Sequence, residues 1–378
     1  MISSTRVLQA ITNSEATDHM QDALDDTHEV SKNHQIDIHR LENWLQTHVS
    51  DFQGPMTLSM FKGGQSNPTY KIHTARCAYV MRSKPGPAAK LLPSAHAIER
   101  EYRVMSALRG SQVPVAGMLA LCEDESVIGR AFYIMEFIPG RVLWDQALPN
   151  MPTDQRQSIY WEMNRVLSEL HCLNPEEIGL SDFGKPGNYF ERQISRWSKQ
   201  YSSSITEPIP EMDWLMKWLP DNIPTSARSN APNRIVHGDF RMDNVMFHPT
   251  ESRALAVLDW ELSTLGHPLA DFSYHCMSWH IPPGTFRGIA GLDLNKLGIP
   301  SEEKYIAVYC ERTGIITPEA LRPDWNFYLA YNMFRLAAIL QGIGKRIQTG
   351  TASNSQAVLS AAGAKPMAEI AWQLAKRS

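Results

Sequence analysis

The segment His237–Asn244 reads HGDFRMDN, and fifteen residues beyond its asparagine Asp259 ends the run ALAVLD. A carboxylate, an amide and a second carboxylate in that order suit the transfer of a phosphoryl group. A hydroxyl attacking a γ-phosphate must be held in line and loses its proton as the new bond forms, so a carboxylate is needed beside it; Asp239 is expected as the catalytic base. Mg²⁺ takes hard oxygen ligands and keeps several waters, so one amide oxygen and one carboxylate suffice beside nucleotide phosphates. Asn244 and Asp259 are the expected metal ligands. His237 is expected to brace the loop. VMF and ALAVLD, on either side of HPTESR, read as two short strands that bring loop and carboxylate together. An isolated His-x-Asp would be a chance turn, but further elements stand upstream in a consistent order.

The first is LSMFKGGQSNPTYKIH, in which alternating strands flank Gly63, Gly64, Gln65, Ser66 and Asn67. Glycines there let backbone N–H groups approach phosphate oxygens, although two glycines between strands can also be an ordinary hairpin turn. The second is AYVMRSKP, a strand carrying Arg82, followed by SAHAIEREYRVMSAL, a helix by its apolar spacing, carrying Glu101. A strand cation paired with a helix glutamate orients α and β phosphates. That cation is usually lysine. Arg82 keeps the charge with a different, forked geometry, and Lys84 competes for the role; a surface ion pair is the ordinary alternative for Arg82 and Glu101. The third is AFYIMEFIPG, a strand running into a Pro-Gly turn, where backbone groups of Glu136 and Ile138 are expected to meet adenine.

These strings resemble the aminoglycoside phosphotransferase and choline kinase-like branch of the kinase-like fold over residues 55–345. HGDFRMDN, LDWELSTLGHPLADFSYH, GGQSNPTY and LLPSAHAIEREYRVMSAL are most similar to a subgroup found alone in bacteria or fused to acyl-CoA dehydrogenases in animals. The resemblance implies an α+β, two-lobed protein-kinase-like fold, with a small antiparallel-sheet N-lobe and a larger, mostly helical C-lobe. It also implies ATP as phosphoryl donor, Mg²⁺, and a small-molecule hydroxyl as acceptor, with hydroxylated acyl-CoA thioesters as proposed substrates. By the same analogy Asp271, in PLADFSY, would accept hydrogen bonds from the catalytic-loop backbone.

The chain has 378 residues, 43% of them hydrophobic, and a formal charge of −4, which favours neither nucleic acid nor membrane as partner. Five cysteines without CxxC spacing, mostly among apolar neighbours, read as reduced core thiols. With no basic segment leading into an apolar run and no long apolar span, a cytoplasmic location is expected. Residues 1–34 read as a flexible polar tail, 35–138 as a nucleotide-binding N-lobe and 139–378 as a C-lobe carrying the catalytic loop and acceptor site. IDIHRLENWLQTHV places Ile38, Leu41, Leu45 and Val49 at helical spacing. PSAHAIEREYRVMSALRG has Ser94 as N-cap and Gly110 as stop, and DQRQSIYWEMNRVLSELHCL gathers Ile159, Met163, Val166, Leu167 and Leu170 on one face.

For the acceptor, KPGNYFERQISRWSKQY carries Lys185, Arg192, Arg196 and Lys199 against Glu191, and YNMFRLAAILQGIGKR carries Arg335, Lys345 and Arg346 with no acid. A polycationic aminoglycoside would need carboxylates there; basic groups beside aromatics suit an anionic or CoA-linked acceptor, and Arg196 and Arg335 are the expected contacts. The same charges could equally be solvated helix faces. An aminoglycoside, choline or sugar kinase is the alternative within this chemistry, and a non-catalytic nucleotide-binding module, suggested by Arg82 in place of lysine, is the alternative outside it. Nothing in the residues points to an oligomeric state.

Overall fold

The computed structural model describes residues 27–30, 36–61, 67–86, 97–228, 233–350 and 355–378, with side chains from 358 in the last stretch. They form two compact units. One comprises the described residues up to Trp144 together with Met242–Ser263; the other comprises Asp145–Arg241 and Thr264–Ser378.

The first unit is built on a six-stranded antiparallel sheet in the order β1-β2-β3-β4-β6-β5: Thr27–His28, Met56–Phe61, Thr69–Thr74, Ala78–Ser83, Phe132–Glu136 and Met118–Cys122. Thr27 and His28, inside the stretch read as a polar tail, instead form an edge strand whose backbone pairs with Phe61 and Met60, a pairing that side-chain pattern does not reveal. One sheet face is closed by helix α1, Ile38–His48. Asp37 caps it, accepting from the Arg40 N–H at 3.1 Å, and Leu41, Leu45 and Val49 pack with Tyr70, Ile72, Met81, Phe132 and Ile134. Ile38, expected on that apolar face, is 41% exposed, at the first position of the helix. Helix α2, Ile98–Leu108, begins at an Ala97 N-cap that offers no side-chain bond; Ser94, the expected cap, lies outside the described residues. Gly110 follows with φ +86°, a left-handed value suited to glycine beyond a helix end.

The expected hairpin is present as β9, Val245–Phe247, and β10, Ala254–Val257, joined to the two-residue β7, Arg141–Val142, in a second sheet. Gly140 permits this close approach, since a Cβ there would stand 2.6 Å from the Phe247 carbonyl.

In the second unit β8, Arg234–Val236, pairs with β11, Thr264–Gly266. Around them stand helices α3 (Thr153–Cys172), α4 (Tyr189–Ser204), α5 (Pro210–Asp221), α6 (Pro268–Cys276), α7 (Glu302–Thr313), α8 (Trp325–Gln348), α9 (Ser355–Ala362) and α10 (Ala364–Ala375). All five residues of the expected α3 face are buried, and that helix packs on β8 and α7. Helix α8 is buried over most of its length against α4, α6 and α10. Cys122, Cys276 and Cys310 are core thiols, whereas Cys77 and Cys172 are exposed; all five are free. Among the described residues no helix is long and apolar enough to cross a membrane.

Candidate active site

In the first unit the chemistry centres on Arg82. On β4 it lies opposite Thr69 of β3 and Tyr133 of β6, deep in the sheet. Its Nε sits 3.0 Å from Glu101 Oε2, and its Nη2 sits 2.8 Å from Asp259 Oδ1 and 3.7 Å from Glu261 Oε2. Glu101, 1% exposed, accepts also from Asn67 Nδ2 at 2.8 Å and from the Tyr133 hydroxyl at 3.0 Å. Burial works against the Arg82 charge, but the neighbouring Glu101, Tyr133, Asp259 and Glu261 outweigh it and hold its pKa above the ordinary guanidinium value. Arg82 rather than Lys84 therefore holds Glu101. Lys84 pairs with Glu99 at 3.1 Å.

Asp259 lies two residues beyond β10 rather than in it, as N-cap of a short 3₁₀ turn, with φ +63°. Asp tolerates this left-handed region better than most residues, and the turn aims its carboxylate at Arg82. The side chain is 35% exposed. Asn244, buried in the turn Met242–Asn244, accepts from the Leu258 N–H through its backbone carbonyl at 2.8 Å, so the two ends of the hairpin are tied together. Glu136 exchanges hydrogen bonds with Gly117 through both backbone and carboxylate. Gly63, Gly64, Gln65 and Ser66 lie outside the described residues; Asn67, expected with them, is wholly buried.

In the second unit the loop after β8 is fixed by its backbone. Asp271, near the start of α6, accepts from the N–H groups of His237 and Gly238, the latter at 2.7 Å, and stands 3.6 Å from His171 Nε2. Burial alone would raise Asp271, but hydrogen bonding and charge from His171, His237 and Gly238 outweigh it and hold the carboxyl below its usual range. His237 Nδ1 accepts from the Asp239 N–H at 3.2 Å, a bracing contact. Asp239 is held on both oxygens: the Tyr274 hydroxyl donates to Oδ1 at 2.6 Å, and Arg241 Nη2 lies 3.0 Å from Oδ2. Burial and the Asp239 charge push the Tyr274 pKa upward, so the phenol stays protonated and donating.

Arg335, expected against the acceptor, is 6% exposed; its Nη2 donates to the Gly238 carbonyl, and its guanidinium packs over Tyr274 and Trp197 at 5.0 and 5.5 Å. Its charge therefore serves the loop. Arg196 is exposed beside Trp197. Sequence reasoning passed over Arg241, Tyr274, Tyr133 and Glu261. Arg241 and Glu261 stand two residues beyond Asp239 and Asp259, and Tyr274 one helical turn beyond Asp271, so spacing could have marked these three.

The sequence profile of the phosphotransferase enzyme family, APH, matches residues 57–321. The chain belongs to that family. A solved protein of Ralstonia eutropha JMP134, whose assignment as an aminoglycoside phosphotransferase is itself provisional, is 60% identical and superposes with a TM-score of 0.83, covering 91% of this chain and 99% of its own. Acyl-CoA dehydrogenase family member 10 of Mus musculus is 46% identical over 339 residues, which are 89% of this chain and 30% of the mouse protein. The chain thus spans under a third of that relative's length. The aminoglycoside phosphotransferase APH(4)-Ia, solved with ADP and hygromycin B, shares the fold at 14% identity and a TM-score of 0.55, over 88% of this chain and 97% of its own. This APH chain accordingly has the kinase-like fold, with an antiparallel-sheet N-terminal part and a helical C-terminal part.

Proposed function

We propose that this APH chain transfers the terminal phosphoryl group of ATP to the hydroxyl of a small anionic molecule, with hydroxyacyl-CoA thioesters the foremost candidates. The observation that carries the reading is Asp239, a carboxylate held on both oxygens in a loop whose backbone is fixed by a buried aspartate. Rigid presentation of this kind suits a base, because positioning and charge stabilisation do most of the work in phosphoryl transfer. The acceptor oxygen forms the new bond to the γ-phosphorus, the bond to the β-bridging oxygen breaks, ADP leaves, and the acceptor proton passes to Asp239.

Nucleotide binding falls to the first unit. Arg82, aligned by Glu101, serves the α and β phosphates, the stretch 63–67 the phosphate loop, and the backbone of Glu136 and Ile138 the base. Asn244 and Asp259 supply two hard oxygens. Among the described residues no group of three or more His, Cys, Asp or Glu side chains could cage a metal alone, which fits an ion such as Mg²⁺ that shares its ligands with phosphate and water. Such an ion neutralises charge on the phosphates. Likeness to acyl-CoA dehydrogenase family member 10 supports the thioester candidates, and the free thiols support a cytoplasmic location.

The test is incubation with ATP, Mg²⁺ and panels of hydroxyacyl-CoA thioesters, sugars, choline and aminoglycosides, read by mass for added phosphate. Phosphorylated thioester from the native chain, with turnover lower by at least about a thousandfold in Asp239→Asn, is the expected result. Product from an aminoglycoside alone would overturn the acceptor assignment, and near-native turnover by Asp239→Asn would overturn the base.

A further inference from the structure

A half-open recess lies wholly within the second unit, lined by Arg241, Tyr274, Met277, Ile281, Phe286 and Arg287 among others, none of them acidic. Two of these residues, Arg241 and Tyr274, are the ones that hold the two oxygens of Asp239. The cavity therefore opens beside the expected base. Phe286 lines the recess, flanked by Arg287 at 4.9 Å and Arg241 at 5.8 Å from the ring centre. No lining side chain is a carboxylate; the Arg241 charge is compensated by Asp239 at 3.0 Å, and Arg287 adds a second guanidinium to the wall.

The presentation of Arg287 is built in. Its φ is +55°, a left-handed conformation that costs a non-glycine residue energy and collects at ligand sites. The surrounding loop holds it there: Gly288 N–H donates to Thr285 at 2.9 Å, Ile289 N–H to Ser278 at 2.9 Å and Ala290 N–H to Ile281 at 2.9 Å. A Cβ on Gly288 would fall 2.0 Å from the Ile281 carbonyl, so the loop closes too tightly for any other residue. Met277, Ile281 and Phe286 add an apolar lining suited to a short carbon chain.

We propose that Arg287, together with Arg241, forms the anion-holding wall of the acceptor pocket and selects alcohols that carry an anionic oxygen group, either the carboxylate of a hydroxy acid or a phosphate of an attached carrier. The assignment rests on the phosphotransferase reading above and adds a specificity residue on a loop far in sequence from the catalytic segment. A guanidinium binds either anion through charge-assisted hydrogen bonds, and a neutral acceptor forgoes them.

Kinetics with 4-hydroxybutyrate, its coenzyme A thioester and its uncharged N-acetylcysteamine thioester test this in the native chain, Arg287→Ala and Arg287→Lys. The ratio of kcat/KM for an anionic acceptor to that for the neutral thioester should fall about 10- to 100-fold in Arg287→Ala and recover in part in Arg287→Lys. A loss confined to the free acid assigns the anion as carboxylate; a loss confined to the coenzyme A thioester assigns it as carrier phosphate. A ratio unchanged within twofold overturns the proposal. Calorimetric titration of the two anionic acceptors without ATP keeps the two readings apart. Binding to the native chain that Arg287→Ala weakens, with no phosphorylated product, sustains the pocket and sinks the phosphotransferase reading. Equal binding by both chains, or by neither, sinks the pocket.

Discussion

Arg82 joins three carboxylates through one guanidinium, and its forked geometry is what makes this possible: Nε serves Glu101 while Nη2 serves Asp259 and Glu261. Removing it would leave Glu101 buried without its counter-charge. Arg82→Ala should therefore lose about 3–5 kcal/mol of unfolding free energy, read by urea denaturation, with Arg82→Lys in between because an ammonium cannot serve both sides. An alanine variant as stable as the native chain would show that the pair contributes nothing. Tyr274 is a positioning residue, acting through Asp239 by a single hydrogen bond of 2.6 Å. Tyr274→Phe should lower kcat by roughly tenfold, about 1.4 kcal/mol in the barrier, and leave KM for ATP in place. If KM for ATP rises while kcat holds, the phenol serves the nucleotide instead.

The elements that carry these residues were legible where one helix or hairpin decides the matter. Leu41 and Leu45 repeat at helical spacing and are wholly buried, and VMF with ALAV paired as the turn between them required. What no local pattern could give is convergence from afar. Arg335 reaches Gly238 across 97 residues and Arg82 reaches Asp259 across 177, contacts absent from the reading of Arg335 as an acceptor contact and of Arg82 as the phosphate-orienting partner of Glu101. Helix α6 shows what such convergence implies for stability. His267 caps it, its Nδ1 accepting from the Leu269 N–H, and His275 lies inside it against the Tyr305 hydroxyl. Burial pushes both rings down, His267 to about 3 and His275 to about 4, so they stay neutral when folded but take up protons near pH 6.5 when unfolded. The unfolded chain binds more protons between those values, so stability is complete above about pH 6.5 and falls as the pH drops toward 4. Between about pH 7 and pH 5 the loss should be about 2 kcal/mol for each histidine, measured by urea denaturation at the two pH values. Asp271, held low, keeps its full contribution above the ordinary carboxyl range and loses it only as the pH falls through and below that range, so it scarcely blurs this window. Equal stability at both pH values would mean the rings are hydrated or charged in the fold.

Over the whole molecule the charge is −4 and the isoelectric point about 6.4, so at neutral pH the distant field repels an anionic acceptor. Selection of such an acceptor must then come from a few cations close to the hydroxyl, and Arg241 and Arg287 are positioned for it beside an apolar wall. Salt separates this local attraction from binding by shape. The Debye length shrinks from about 10 Å at 0.1 M to about 3 Å at 1 M, which weakens both the distant repulsion and any attraction reaching through water. Contact between a half-buried guanidinium and an anion is screened less than the encounter that precedes it, and added salt also competes directly for the site. With ATP held saturating so that its own salt dependence drops out, KM for an anionic acceptor should rise several-fold from roughly 0.05 M to roughly 0.5 M salt, and the slope should flatten in Arg287→Ala. The neutral N-acetylcysteamine thioester supplies the baseline, since its KM has no charge to screen. Parallel slopes for charged and neutral acceptors would show that this family member chooses its alcohol by shape alone.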